Sequence, residues 1–267
     1  MTAESIQAIW LALIQGLTEF LPVSSSAHLI LPSTFLGWAE QGLAFDVAVH
    51  IGTLFAVVLY FRKDLLNVIG DGVFNYKNTN PNSKLAIAIA VATVPAALFG
   101  FFAHDIIEVY LRAPIIIAFT TIFFGLLLWK ADRKSQNGEG RGVASLSFKD
   151  SVLIGLAQAF ALIPGVSRSG ITMTMGLELG LSKMASARFS FLLSVPIILL
   201  AGGYQGLKLF LSSKEINWEP MAIGFLVSFV SAYVCIKLFL SAIEKIGMLP
   251  FVIYRLALGL LLLLILV

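Results

Sequence analysis

The chain has 267 residues, 58% hydrophobic and 12% charged, with a mean hydropathy of +0.93. Soluble chains carry about 25% Asp, Glu, Lys and Arg, so a chain with half that charge cannot cover a water-facing surface, and a soluble enzyme is excluded. A net charge of +3 is too weak a field for nucleic-acid binding, and a lone cysteine, Cys235, excludes an internal disulfide or a Cys-based metal cluster.

The first residues, Met1-Thr2-Ala3-Glu4, lack the basic leader of a signal peptide, and no cleavage is expected. Ile6–Leu21 is apolar but stops at Pro22, and a polar run to His28 is followed by a short apolar run ending at Leu36. That pattern predicts a half-helix, a polar turn and a second half-helix. Gln41–Phe61 is long enough to span a bilayer; it carries Asp46 near its start and ends at Arg62-Lys63-Asp64. Leu85–Ala103 and Ala113–Trp129 are charge-free spans, with Trp129 suited to the headgroup layer. Lys130–Asp150 mixes Lys130, Arg133, Lys134, Arg141 and Lys149 with Asn, Gly and Ser and reads as an exposed cytoplasmic linker. Ser151–Ile163 repeats the broken pattern: it stops at Pro164, passes through the polar turn Gly165–Gly170 and resumes over Ile171–Leu181. Phe189–Leu207, Pro220–Ile236 and Pro250–Val267 complete the spans, with Arg255 the charge inside the last. Loop backbone survives at membrane depth only when buried in protein or lining a wet cavity, which makes both polar turns site candidates.

The two broken segments are related. At a shift of 143 residues Gln15 falls on Gln158, Val23 on Val166, Ser24 on Ser167 and Ser26 on Ser169, and at a shift of 136 Pro114-Ile-Ile-Ile echoes Pro250-Phe-Val-Ile. The expected fold is therefore an all-α polytopic membrane protein built from two repeats, 1–130 and 151–267, joined by the linker 131–150. Each repeat holds three transmembrane helices and one re-entrant helix–turn–helix hairpin, and the odd number of crossings inverts the second copy. Eleven Lys and Arg residues in Arg62–Lys84, Lys130–Lys149 and Lys237–Lys245 face three in the opposite connections, Arg112, Lys208 and Lys214. The eleven are expected in the cytoplasm, with both termini outside.

Three constellations can carry chemistry. Gln15 and Glu19, four apart on a helix, stack on one face and offer oxygens for a cation or a proton, and a carboxylate in a membrane segment is functional by default. Ser24, Ser25 and Ser26 stand where a helix N-cap is expected, a position that favours anions, and His28 lies three residues after Ser25, placed to act as its base or acid. Ser167, Arg168, Ser169 and Gly170 open the second half-helix, where a guanidinium fork suits phosphate oxygens and no carboxylate stands near it in sequence. Together these are equipment for phosphoryl transfer. His50, His104, Asp105 and Glu108 are expected at span ends and Glu178 at the end of a short helix, while Arg255 either snorkels or faces the cavity.

The motifs Gln15-x-x-x-Glu19 with Pro22-Val-Ser-Ser-x-x-His28, and Pro164-Gly-x-Ser-Arg-Ser-Gly170, resemble the signatures of the bacterial undecaprenyl-diphosphate phosphatase family over essentially the whole chain. The resemblance implies a hydrolase of the cytoplasmic (inner) membrane that converts undecaprenyl diphosphate to the monophosphate, recycles the lipid carrier of cell-wall synthesis and affects bacitracin tolerance. It implies a polyprenyl diphosphate substrate and a divalent cation (Mg2+ or Ca2+), with Glu19 and Gln15 as metal ligands. Position by position it marks Glu19, Ser25, His28 and Arg168 as the reactive core and Gln15, Ser24, Ser26, Ser167, Ser169, Gly170 and Thr172 as substrate contacts. Gln15 replaces the glutamate often found there, Ser26 a threonine and Ala27 a glycine. The nucleophile is left open among Ser25, Ser26, His28 and water. The rival reading is an inverted-repeat transporter or flippase of a phosphate-bearing lipid.

Overall fold

Helices run past the limits of their hydrophobic windows, because a helix ends at its caps and not where hydrocarbon ends. The computed structural model describes residues 3–38, 42–74, 77, 80–135, 140–212 and 217–266. A first hairpin is α1 (Ala3–Thr18) and α2 (Ser25–Leu36), followed by α3 (Gly42–Tyr60), a short α4 (Arg62–Ile69), α5 (Pro81–Tyr110) and α6 (Pro114–Ser135). A second hairpin is α7 (Phe148–Ala159) and α8 (Arg168–Glu178), followed by α9 (Lys183–Leu211), α10 (Trp218–Ile246) and α11 (Leu249–Leu266). Five of these, α3, α5, α6, α9 and α10, contain stretches long and apolar enough to cross a membrane, and α11, with 18 residues, stands at the lower length limit. There is no strand among the described residues, only an isolated bridge between Arg141 and Leu181. The protein is an all-α, multi-pass membrane protein.

Polar residues set the helix ends. Asn80 accepts from the Asn82 N–H ahead of α5, with Pro81 in the first turn; Ser182 caps α9, and Ser147 with Asp150 forms a reciprocal capping box on α7. His104, Asp105 and Glu108 fall near the C-terminal end of α5, and their side chains lie outside the described residues.

Five acidic residues gather with the basic connections at one end of the bundle. Arg188 pairs with Asp64 at 3.0 Å, Lys134 with Glu178 at 2.6 Å, Arg141 with Asp150 at 3.2 Å and Lys183 with Asp132 at 3.7 Å, while Glu244 accepts from the Met184 N–H. These contacts join α4, just past the end of α3, to the start of α9, and the end of α6 to the end of α8. The start of α7, the end of α8 and the end of α10 therefore share that side. At the far side Ser5, in α1, donates to Glu219, in the first turn of α10. The first arms of the two hairpins, α1 and α7, thus start at opposite ends of the bundle.

The segment after α6, expected as a free linker, is tied down where it is described. The Arg141 N–H donates to the Gly180 carbonyl, the Arg141 carbonyl accepts from Ser182, and the guanidinium donates to Leu179 O and Asp150. Burial alone would raise the Asp150 carboxyl, but hydrogen bonds from Ser147 and the charge of Arg141 outweigh it and hold it below the ordinary carboxylate value. Stability from this contact is complete above the ordinary carboxylate pKa and disappears as pH falls through the lowered one.

Small residues let the hairpins approach the spans. Any Cβ on Gly16 would collide with Ser231 of α10, and one on Gly52 with Ser228; on the other hairpin, Gly155 of α7 backs onto the Ala92 backbone of α5. The main core gathers Phe20, Phe61, Phe189, Phe191 and Phe239, whereas Phe99, Phe101, Phe119 and Phe123 are exposed on the outside of the bundle.

Candidate active site

Both hairpins break in the same way. The α-helix ends four or five residues ahead of a proline, α1 at Thr18 and α7 at Ala159, and the residue two or three positions after the proline turns the chain with positive φ. In each turn that residue is a serine, Ser24 at φ 73° and Ser167 at φ 71°. A non-glycine side chain held there stores on the order of 1–3 kcal/mol of strain, which persists only where the surroundings enforce it. The hydroxyls repeat as well: Ser24 Oγ lies 3.1 Å from Ser26 Oγ, and Ser167 Oγ 3.2 Å from Ser169 Oγ. Ser167 caps its helix by accepting from the Gly170 N–H at 3.1 Å, whereas Ser24, at the equivalent position, makes no side-chain capping bond.

The turns meet. Ser169 Oγ donates to Leu21 O at 2.8 Å and the Gly165 N–H donates to Ser26 Oγ at 3.4 Å. Across this junction Glu19 Oε1 sits 2.9 Å from Arg168 Nη2, with the carboxylate side chain 9% and the guanidinium 12% exposed. Glu19 Oε2 accepts from Ser25 Oγ at 3.0 Å and from Gln15 Nε2 at 3.0 Å. Arg168 Nη1 also donates to Ser190 O at 3.1 Å, so among the described residues two of its five donors have a partner. A hydroxyl, a carboxylate and a guanidinium in line form a nucleophile–base–orienter arrangement.

Two expectations are corrected here. Arg168 does have a carboxylate partner; Glu19 was invisible as one because it lies 149 residues earlier. His28 is not on the Ser25 hydroxyl. Its Nδ1 lies 2.7 Å from Ser24 O, and its Nε2 2.7 Å from the Tyr254 hydroxyl. A carbonyl only accepts, so Nδ1 carries the proton, and in the neutral ring Nε2 accepts from Tyr254. The group that faces Ser25 is Glu19.

The remaining residues divide by depth. Ser25 is half-buried and Ser26 exposed, and half-exposed Tyr254 reaches His28. Ser24, Ser167, Ser169, Gly170 and Thr172 are buried and bonded within the protein; Thr172 donates to Arg168 O at 2.8 Å and shares a 2.7 Å contact with Ser190 Oγ. Ser24 shapes the first turn, and the others shape the turn that presents Arg168. Sequence reasoning missed Ser190 and Tyr254, which carry no motif, and left Arg255 undecided although a charge within an apolar span is itself a functional signal.

Among the described residues no three His, Cys, Asp or Glu side chains cluster as a metal site. The donor set nevertheless fits a hard cation completed by substrate: Glu19 supplies a carboxylate, and Gln15 Oε1 beside it is buried without a partner. Mg2+ in particular is often held by one or two carboxylates plus substrate phosphate oxygens.

Cys235 is buried and donates to Leu17 O at 3.2 Å, two residues before Glu19. A serine hydroxyl can serve that carbonyl, and Cys235→Ser is expected to keep near-wild-type activity. Activity that falls with loss of the sulfur would contradict a hydroxyl nucleophile.

The profile of the bacitracin resistance protein BacA family matches residues 8–261. The undecaprenyl-diphosphatase of Saccharophagus degradans is 58% identical over 256 residues, 95% of each chain. Undecaprenyl-diphosphatase 1 of Pseudoalteromonas translucida is 55% identical over 256 residues, 95% of this chain and 96% of its own. The undecaprenyl-diphosphatase of Chromohalobacter salexigens is 53% identical over 260 residues, 97% of each. With its two serine turns facing one another across Glu19 and Arg168, and a match that runs nearly end to end, the chain belongs to the bacitracin resistance protein BacA family.

Proposed function

We propose that the protein hydrolyses undecaprenyl diphosphate to undecaprenyl phosphate and inorganic phosphate, recycling the lipid carrier in the bacterial inner membrane and conferring bacitracin tolerance. The observation that carries the reading is the Ser25–Glu19–Arg168 line, with contacts of 3.0 and 2.9 Å, at the junction of the two turns. A phosphate carrier needs the arginine but no hydroxyl held on a carboxylate.

In the mechanism the terminal phosphoryl group docks between Ser25 and Arg168. Ser25 Oγ attacks the terminal phosphorus as its proton passes to Glu19, and the bond to the bridging oxygen breaks. Undecaprenyl phosphate leaves with that oxygen and with the proton, which Glu19 passes on to it. Water then attacks the phosphoserine as the carboxylate takes its proton; the bond from phosphorus to Ser25 Oγ breaks, Glu19 returns the proton to that oxygen, and phosphate departs with the Ser25 hydroxyl restored. The remaining donors of Arg168 hold charge on the transferring group. A bound divalent cation, Mg2+ or Ca2+, held by Glu19 and Gln15 Oε1, would neutralise charge on the diphosphate. Detergent solution separates hydrolase from carrier, because it has no second compartment. Purified protein is expected to release one phosphate per lipid diphosphate there; intact lipid diphosphate after prolonged incubation would favour the carrier.

The same reading makes the halves inverted copies, with the ion-paired end in the cytoplasm and both termini outside. It is supported by hairpins whose first arms start at opposite ends of the bundle and by the Lys and Arg excess at the paired end. In a Cys235→Ser background, an impermeant thiol reagent on intact cells is expected to label a cysteine at Ser212 and to spare one at Ser145. The reverse pattern inverts the topology.

A further inference from the structure

Arg255 lies in α11, outside both motifs, and is fully buried at 0% exposure. Among the described residues no carboxylate neutralises it. Its donors go to backbone carbonyls: Nε to Thr121 at 3.1 Å, Nη1 to Val166 at 3.0 Å and Pro22 at 3.4 Å, and Nη2 to Gly165 at 2.9 Å. Pro22 belongs to the first turn, Gly165 and Val166 to the second, and Thr121 to α6. These turn carbonyls lie where no helix ladder can use them, and a buried carbonyl without a donor is costly. Room for the side chain is provided by glycines: a Cβ on Gly170 would fall 2.8 Å from Nη1, and one on Gly125 3.3 Å from the Arg255 Cβ.

We propose that Arg255 is a positioning residue for the hydrolysis, a clamp that fixes the first turn against the second and so sets the separation of Ser25 from Arg168. The proposal rests on the phosphatase reading above. Ser25 and Arg168 sit on different hairpins, and their alignment depends on the junction between Pro22 and Val166. Arg255 donates from one nitrogen to both of those residues. Its charge also has a purpose there. Glu19 is engaged by Arg168, so the guanidinium of Arg255 leaves the junction net positive, ready for a diphosphate. Only a planar fork reaches all four carbonyls; a lysine ammonium is one point and cannot.

The test compares Arg255→Lys and Arg255→Met with wild type in detergent, using farnesyl diphosphate as substrate and amide hydrogen exchange as the second readout. Arg255→Lys is expected to lower kcat by roughly 10- to 100-fold, the scale of a misplaced reactive group, with KM changed by no more than about threefold. Exchange should quicken together over residues 19–28 and 163–170, while α3, α9 and α10 keep their protection. Arg255→Met is expected to add a rise in KM through loss of the charge, and if it does not fold, Arg255→Lys carries the test. Wild-type kcat and unchanged protection in Arg255→Lys would overturn the clamp, as would loosening confined to one turn or spread evenly through the spans. Should the wild type release no phosphate, the phosphatase reading falls, and the clamp is then judged on joint loosening of the turns alone.

Discussion

Arg168→Lys is expected to lower turnover by about 10²–10³-fold, the scale for removing a preorganised donor to developing charge. In the resting structure Arg168 divides its fork between Glu19 Oε1 and Ser190 O and still has donors for phosphate. A lysine ammonium can keep the pair with Glu19 or turn toward the substrate, but from one nitrogen it cannot orient the carboxylate and grip phosphate oxygens at the same time. Steady-state phosphate release by protein that elutes and melts like wild type is the measurement. Turnover near wild type would remove Arg168 from the mechanism.

Glu19→Gln is expected to cost about 10²–10⁴-fold in turnover, the range for a positioned general base, and to lower the melting temperature as well. The loss of stability follows from the buried pair with Arg168, because removing one partner of such a pair leaves an uncompensated charge and costs about 3–5 kcal/mol. A cation titration separates the two roles open to the carboxylate. Activity restored in full by added Mg2+ or Ca2+ would make Glu19 a metal ligand alone, whereas a loss that no cation repairs supports proton transfer from Ser25.

The fold and much of the site were legible in sequence because a bilayer leaves few choices. A long apolar window must be a helix, and Pro22 and Pro164 followed by serines mark backbone that hydrocarbon cannot accept. What could not be read were partnerships between distant segments. Glu19 and Arg168 lie 149 positions apart, and His28 and Tyr254 226. Spacing on one helix suggested His28 for Ser25, yet the positive φ of Ser24 turns its carbonyl toward His28 Nδ1, and Glu19, from before the turn, takes the hydroxyl. Arg255 shows a second limit. A charge inside a span signals function, but the four carbonyls it serves come from three elements, and only the folded chain brings them within reach of one side chain.

The most direct test of this account is phosphate release from undecaprenyl diphosphate by purified wild-type, Ser25→Ala and Ser26→Ala proteins in detergent. Ser25 is the hydroxyl held on Glu19, while Ser26 is held by Ser24 and the Gly165 N–H. The account predicts release by the wild type, near-complete loss in Ser25→Ala and retention of most activity in Ser26→Ala. A folded Ser25→Ala protein that turns over at the wild-type rate would contradict it.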